Sequence, residues 1–259
     1  MVIGQLSSML ESFYGENLDN ESLLTKKRTP YIIGINGSVC SGKSYIAEEI
    51  KKILKCSNPQ LTIALLSTDN FIHTNKKLIK MNKFAEKGFT SSYDWALLFK
   101  TLKKIKKNKE VKTPYYSQDA SDIHKTKKLR IPANVDILII EGINLLKTTC
   151  NTSPSKNLCR KLLLSDYIDY TIYLETPEKN LKKWFYSRLV KKKTMWRKKK
   201  IKSAITRKTK REFKKFSNKI WDTYNSSNLK TNINPFRHRS DLIIHINKTH
   251  QISILEFKI

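Results

Sequence analysis

The chain of 259 residues carries 51 lysines and arginines against 22 aspartates and glutamates, a formal charge of +29. With 39% hydrophobic and 10% aromatic residues it can bury the core of one α/β domain, which excludes wholesale disorder despite the charge. The longest apolar stretch, Val135 to Leu146, is broken by Asp136 and Glu141 and falls short of the ~18 residues a membrane helix needs. Met1 to Leu10 has neither the basic start nor the small-residue cleavage site of a signal peptide, so a soluble, cytoplasmic protein with no membrane partner is expected.

In chain order, residues 1–29 read as a polar lead-in. The apolar run Tyr31–Ile35 flows into a glycine turn and reads as a buried strand; Ile46, Ile50, Ile53 and Leu54 then share one helix face. Leu61–Ser67 reads as a second strand and Tyr93–Ile105 as a helix with Leu97, Leu98, Leu102 and Ile105 inward. Ile137–Ile140, Tyr167–Leu174 and Leu242–Ile246 complete five strands. Short, continuously apolar strands separated by helical stretches predict a central parallel sheet covered by helices on both faces. From Lys191 to Arg211, twelve of 21 residues are Lys or Arg and none is acidic, which predicts a solvated, lid-like segment.

The charge has two readings. A polyanion partner gains affinity from clustered cations by counterion release. Yet only nine of the 51 cations are arginine and the lysines are scattered, so compositional drift accounts for the excess and a nucleic-acid role is disfavoured. Cys40, Cys56, Cys150 and Cys159 form no C-x-x-C, and the five histidines form no close pair, so no metal held by protein ligands alone is expected.

Gly37-Ser38-Val39-Cys40-Ser41-Gly42-Lys43-Ser44 fits G-x-x-x-x-G-K-[ST] between a strand and a helix. Glycines let backbone N–H groups curl around phosphates, the lysine reaches the β/γ oxygens, the serine hydroxyl meets Mg²⁺, and the helix N-terminus adds positive potential. The expectation is therefore a P-loop NTPase fold binding a nucleoside triphosphate, ATP, with Mg²⁺. Asp69, closing the second strand, suits a base for a hydroxyl or a metal contact, and equally a turn or helix-capping aspartate. Glu141, closing the third strand, suits a Mg²⁺ contact or a turn residue.

Further residues resemble those of the bacterial type I pantothenate kinases, within the phosphoribulokinase/uridine kinase group. The likeness runs through Pro30–Ile33, Thr68-Asp69-Asn70-Phe71-Ile72-His73, Lys87-Gly88-Phe89, Ser92-Tyr93-Asp94, Pro114-Tyr115-Tyr116-Ser117 and Glu141-Gly142-Ile143-Asn144. It continues through Asp166-Tyr167-Ile168-Asp169, Trp184 with Arg188, and Asn228-Leu229-Lys230-Thr231-Asn232, covering roughly residues 30–250. This resemblance implies a single kinase domain over 30–259, with 191–211 lid-like, that phosphorylates the small molecule pantothenate on its primary hydroxyl, the first step toward coenzyme A. It implies Lys43 and Ser44 on phosphates and Mg²⁺, Asp69 as base, Arg188 on the transferring group, Tyr116 and Asn232 on pantothenate, and His250 near the adenine. It also brings the expectation of a homodimer, although no dimer seam is legible.

The departures fall on the pocket. Where the family reads Tyr-Ser-His-x-x-Tyr-Asp, this chain has Gln118 for the histidine and Ser121 for the second tyrosine. Phe185 replaces a tyrosine beside Trp184, and Glu48 replaces a basic residue. Gln118 and Phe185 remain the positions expected to face substrate, and a nucleoside or another small alcohol stands as the alternative acceptor.

Overall fold

The computed structural model describes residues 29–147, 163–201 and 204–257. The lead-in before Thr29, Cys150 and Cys159 lie outside these. Strands β1 (Tyr31–Gly37), β2 (Ile63–Ser67), β5 (Ile137–Gly142), β6 (Tyr170–Glu175), β7 (Leu242–Ile246) and β8 (Ile252–Phe257) form one sheet in the order β2-β5-β1-β6-β7-β8. All neighbours are parallel except β8, which turns back antiparallel on β7. Strands β3 (Val111–Ser117) and β4 (Asp122–Ile131) form a separate antiparallel hairpin. The helices are α1 (Lys43–Ser57), α2 (Asn75–Lys80), α3 (Trp95–Lys106), α4 (Glu178–Lys198), α5 (Ala204–Arg207) and α6 (Lys210–Ile220). Beyond α6 the chain stays helical through π-helical Trp221–Asn225, α-helical Ser226–Asn228, π-helical Leu229–Ile233 and 3₁₀ Asn234–Arg239.

The continuous apolar runs are explained by two cores. Ile33, Ile35, Ile137 and Ile139 pack with Ile46, Ile50 and Leu54 of α1, with Leu181 and Trp184 of α4, and with Trp221. The alternate residues Ile32, Leu138 and Ile140 pack with Leu98, Leu102 and Ile105 of α3 on the opposite face. Successive strand side chains point to opposite faces, so a strand covered on both sides is apolar at every position. Among the described residues no helix is long and apolar enough to cross a membrane.

Several boundaries move for local reasons. Helix α3 starts at Trp95 rather than Tyr93 because the Asp94 carboxylate caps it, accepting from Leu97 N at 3.0 Å. Leu97 faces the same core as Leu98, though only half-buried. The strand expected from Tyr167 starts at Tyr170, after a 3₁₀ turn over Leu164–Tyr167. The hairpin and β8 were not expected, since β3 contains Pro114 and most of β4 is polar and exposed. The solvated reading of 191–211 is corrected in part. Residues 191–198 continue α4, and buried Lys193 donates to Lys208 O at 2.5 Å with its ammonium 4.7 Å from the Phe213 ring centre.

At the N-terminal edge of the sheet, one device occurs three times. The residue just before β5, β6 and β7 is an aspartate: Asp136, Asp169 and Asp241. Each carboxylate accepts from a backbone N–H of the neighbouring strand line, Thr62 at 2.6 Å, Ile32 at 2.6 Å and Thr171 at 2.7 Å. Each aspartate N–H returns a bond to the carbonyl of that same residue, at 2.9, 2.8 and 2.9 Å. Asp241 also accepts from Thr171 Oγ1 at 2.6 Å. Replacing Asp241 by Ala orphans a buried N–H, so urea denaturation of Asp241→Ala should show a loss of about 1–3 kcal/mol.

Candidate active site

The strand register brings the functional residues to one rim. Ile35 of β1 and Ser67 of β2 both lie opposite Glu141 of β5, and Gly37 lies opposite Leu174 of β6. The phosphate loop therefore leaves the middle of the sheet with carboxylates beside it. In the loop, Cys40 and Gly42 have φ of 65° and 92°, a left-handed conformation that glycine adopts without strain. A Cβ on Gly37 would sit 2.9 Å from Ser41 Oγ and 3.1 Å from Leu174 O, so the approach of loop to sheet requires glycine. Val39 and Cys40 pack against the core that contains Trp184.

Lys43 opens α1 and is buried; its ammonium donates to Ser38 O at 2.7 Å. Burial pushes its pKa down, while Glu141 and then Asp69 oppose that shift. Ser38 is also buried, and its hydroxyl has no partner among the described residues. A loop with a buried ammonium held by its own carbonyl and an orphaned hydroxyl fits a phosphate chain, whose oxygens accept from both. Ser44 donates to Glu141 Oε1 at 3.1 Å, which puts a hydroxyl and a carboxylate side by side, the oxygen donors a hard divalent cation takes.

Asp69 lies in the 3₁₀ turn after β2, and it is Ser67 that caps this turn, accepting from Asp69 N at 3.3 Å. The Asp69 carboxylate instead accepts from Gln118 Nε2 at 3.4 Å. Its pKa is raised, first by burial and then by Glu141, against Lys43 and Arg188. Gln118 stands at the hairpin tip, and its Oε1 accepts a short bond from Arg188 Nη2. The other guanidinium nitrogen, Nη1, is 3.9 Å from Cys40 Sγ. Asp69, Gln118, Arg188 and the phosphate loop thus form one connected chain.

Sequence reasoning missed what holds the tip. Arg188, Lys192, Trp196 and Lys199 follow along one side of α4. Lys192 donates to Gln118 O at 3.0 Å and, by a short bond, to Ser121 Oγ. Trp196 Nε1 donates to Asp119 O at 3.2 Å, and Lys199 pairs with Asp119 at 3.4 Å. Lys87 reaches the tip from the other side, to Ser121 O by a short bond and to Asn75 Oδ1 at 2.6 Å. The only sequence signal was an i, i+4 spacing hidden in a basic run.

The remaining expected residues sit around this chain. Tyr116 N donates to Asn70 Oδ1 at 2.8 Å, one residue past Asp69; burial and then Asp69 push its phenol pKa up. Phe185, on α4, tilts against Trp221 at 5.5 Å. His250, in the β7–β8 turn, stacks on Trp184 at 3.8 Å. Asn232 lies in the second π-helical stretch, where its Oδ1 accepts from Lys147 Nζ at 2.6 Å. Asn232 joins the 141–147 rim through Lys147, and Phe185 and the Trp184 that stacks on His250 share α4 with Arg188.

The profile of the Phosphoribulokinase / Uridine kinase family matches residues 32–253, and the chain belongs to that family of P-loop kinases. Among its curated relatives are pantothenate kinases. That of Streptococcus thermophilus (strain ATCC BAA-491 / LMD-9) is 34% identical over 233 residues, 88% of this chain and 72% of that one. That of Streptococcus equi subsp. zooepidemicus (strain MGCS10565) is 34% identical over 250 residues, 94% and 78%. D-glycerate 3-kinase from Cryptococcus neoformans shares the fold at a TM-score of 0.66 and 16% identity, covering 100% of this chain and 99% of that chain.

Burial first, then the neighbouring Arg188 and Lys87, pull the Lys192 amine down to about 8. An NMR titration of ¹³C-methylated lysines should therefore show one amine losing its proton near pH 8, far below the solvated lysines, and Lys192→Arg should remove that signal.

Proposed function

We propose that the protein phosphorylates pantothenate on its primary hydroxyl with ATP and Mg²⁺, the first step of coenzyme A biosynthesis, in the cytoplasm. The observation that carries this reading is the connected chain from Asp69 through Gln118 to Arg188 and the phosphate loop. It sets an acceptor for a hydroxyl proton and a guanidinium at the two ends of one amide, that of Gln118. When bound, MgATP supplies the phosphoryl group and the cation that offsets its charge.

The chain's own residues do the rest. Lys43 exchanges Ser38 O for phosphate oxygens, and Ser44 with Glu141 holds the cation. Asp69 takes the proton from the acceptor hydroxyl, positioned by Gln118; its raised pKa makes it a stronger base than a solvated carboxylate. Arg188 meets the charge that spreads over the transferring group, a task for a guanidinium held by Gln118. Tyr116, Phe185 and Asn232 line the acceptor's place, and His250, stacked on Trp184, marks that of the base.

The sign of the pH dependence follows. Asp69 must be ionised to act, so kcat/KM should fall on the acid side at a pH above the ordinary carboxylate range. Asp69→Asn should lower kcat by about 10²-fold or more, remove that acid limb and leave ATP binding in place. A coupled ADP-release assay with pantothenate, uridine and glycerate as acceptors tests the reading; turnover with pantothenate supports it, and turnover with another acceptor alone overturns it.

A further inference from the structure

We infer that the Lys192 ammonium, by clasping both ends of the hairpin tip, is the positioning residue that sets Gln118 between Asp69 and Arg188. The inference rests on the roles proposed for Asp69 and Arg188 and deepens them. The tip is the turn 118–121, between Ser117 at the end of β3 and Asp122 at the start of β4. Within it, Ala120 N donates to Ser117 Oγ at 3.2 Å, and Ser121 has a φ of 51°, which a residue with a side chain holds only against strain. Lys192 donates to Gln118 O at 3.0 Å and, by a short bond, to Ser121 Oγ. One ammonium thus ties the first residue of the turn to the last. The other holds reach one place each. Lys87 reaches Ser121 O by a short bond, and Trp196 Nε1 reaches Asp119 O at 3.2 Å. Lys199 pairs with Asp119 at 3.4 Å, both exposed, a contact worth little in water.

What the clasp holds is a side chain that fits in one sense only. A carboxylate accepts and a guanidinium donates, so the Gln118 amide turns Nε2 to Asp69 and Oε1 to Arg188. The Asp69 contact is long, at 3.4 Å, so a small shift of the Gln118 backbone breaks it. Fixing the carbonyl of that same residue removes the shift. Arg188 lies one helical turn before Lys192 on α4, so one rigid element grips Gln118 by its side chain and by its backbone. The ammonium is half-buried, 5.0 Å from the Trp196 ring centre. Arg188 on α4 and Lys87 after α2 face it with like charge, and Asp119 at the tip faces it with opposite charge; Asp122 acts on Lys87. Burial and the two cations bring the Lys192 amine down to about 8. The neutral amine then clasps more weakly, since an ionised donor makes bonds about twice as strong.

The test uses the acceptor that the coupled assay finds the protein to turn over, so it stands whichever acceptor that is. In the unmodified protein kcat should fall on the alkaline side through about pH 8. Lys192→Met keeps an unbranched stem and removes the ammonium. Its kcat at neutral pH should be about 10- to 100-fold lower, with KM for ATP and the melting temperature held and the alkaline limb gone. Lys192→Arg should recover most of the rate and carry the limb to higher pH, because a guanidinium stays charged. Lys191→Met removes the exposed lysine next to it and should leave the rate unchanged. In a Gln118→Ala background, Lys192→Met should cost little, because its effect runs through Gln118. An equal loss in both backgrounds, or a kcat that Lys192→Met does not change, would overturn the inference. An alkaline limb that keeps its midpoint in Lys192→Arg would overturn it as well. If Asp69→Asn turns over at the unmodified rate, it is Asp69 as base that fails, and the inference falls with it.

Discussion

The paired bonds of Asp136, Asp169 and Asp241 at the start of the parallel strands are the constraint on which the site depends. A parallel pair has no hairpin turn to fix its register, and slipping by one residue exchanges every side chain between faces. Here each aspartate locks its own strand to the neighbouring line by a carboxylate bond and a backbone bond to one residue. With that edge fixed, the opposite edge follows. Ile35, Ser67 and Glu141 arrive level with one another, Gly37 follows two residues on, and the phosphate loop and the Asp69 turn leave the sheet side by side.

The second constraint is desolvation. Lys43 and Asp69 have their charges disfavoured by burial and are each opposed by the other's field. Such a pair responds strongly to any added charge, because the local dielectric is low. A phosphate chain brings negative charge to Lys43, and a divalent cation brings positive charge to Glu141, which otherwise raises the Asp69 pKa. Added charge at either place would therefore change the proton affinity of Asp69, the base of the proposed reaction. Arg188 sets the limit of the site, bridging the loop at Cys40 and the hairpin at Gln118.

Much of this was legible in the chain. The five apolar strands and the phosphate loop were readable because burial on both faces leaves no polar position, and because phosphate contact by backbone demands glycines at set places. Asp69 and Glu141 were found from their positions at strand ends, though their alternatives as turn residues stayed open. The structure assigns the capping of the Asp69 turn to Ser67 and turns the Asp69 carboxylate toward Gln118. The hairpin was not legible. Its strands pack one face only near Val111, Thr113 and Ile131, so periodicity there is weak. The three aspartate clamps were hidden for another reason: a single Asp before an apolar run is common, and its partner lies 70 to 137 positions away.

Lysine abundance hid the rest. With +29 of net charge and most cations solvated, a lysine in this chain carries little information by type. Place in the fold is what distinguishes some of them: Lys43 ends on Ser38 O, Lys87 and Lys192 on the hairpin tip, Lys147 on Asn232 and Lys193 on Lys208 O. A flexible four-carbon stem gains from burying its methylenes, while its ammonium must find acceptors or lose its charge. Carbonyls and amide oxygens supply those acceptors here, at the hairpin tip, the phosphate loop and the rim. At Lys43 the carbonyl satisfies the hydrogen bond while burial lowers the pKa, so an added anion would favour the charged form. The same abundance that makes the composition uninformative therefore supplies the ammoniums on which the phosphate loop and the hairpin tip are held.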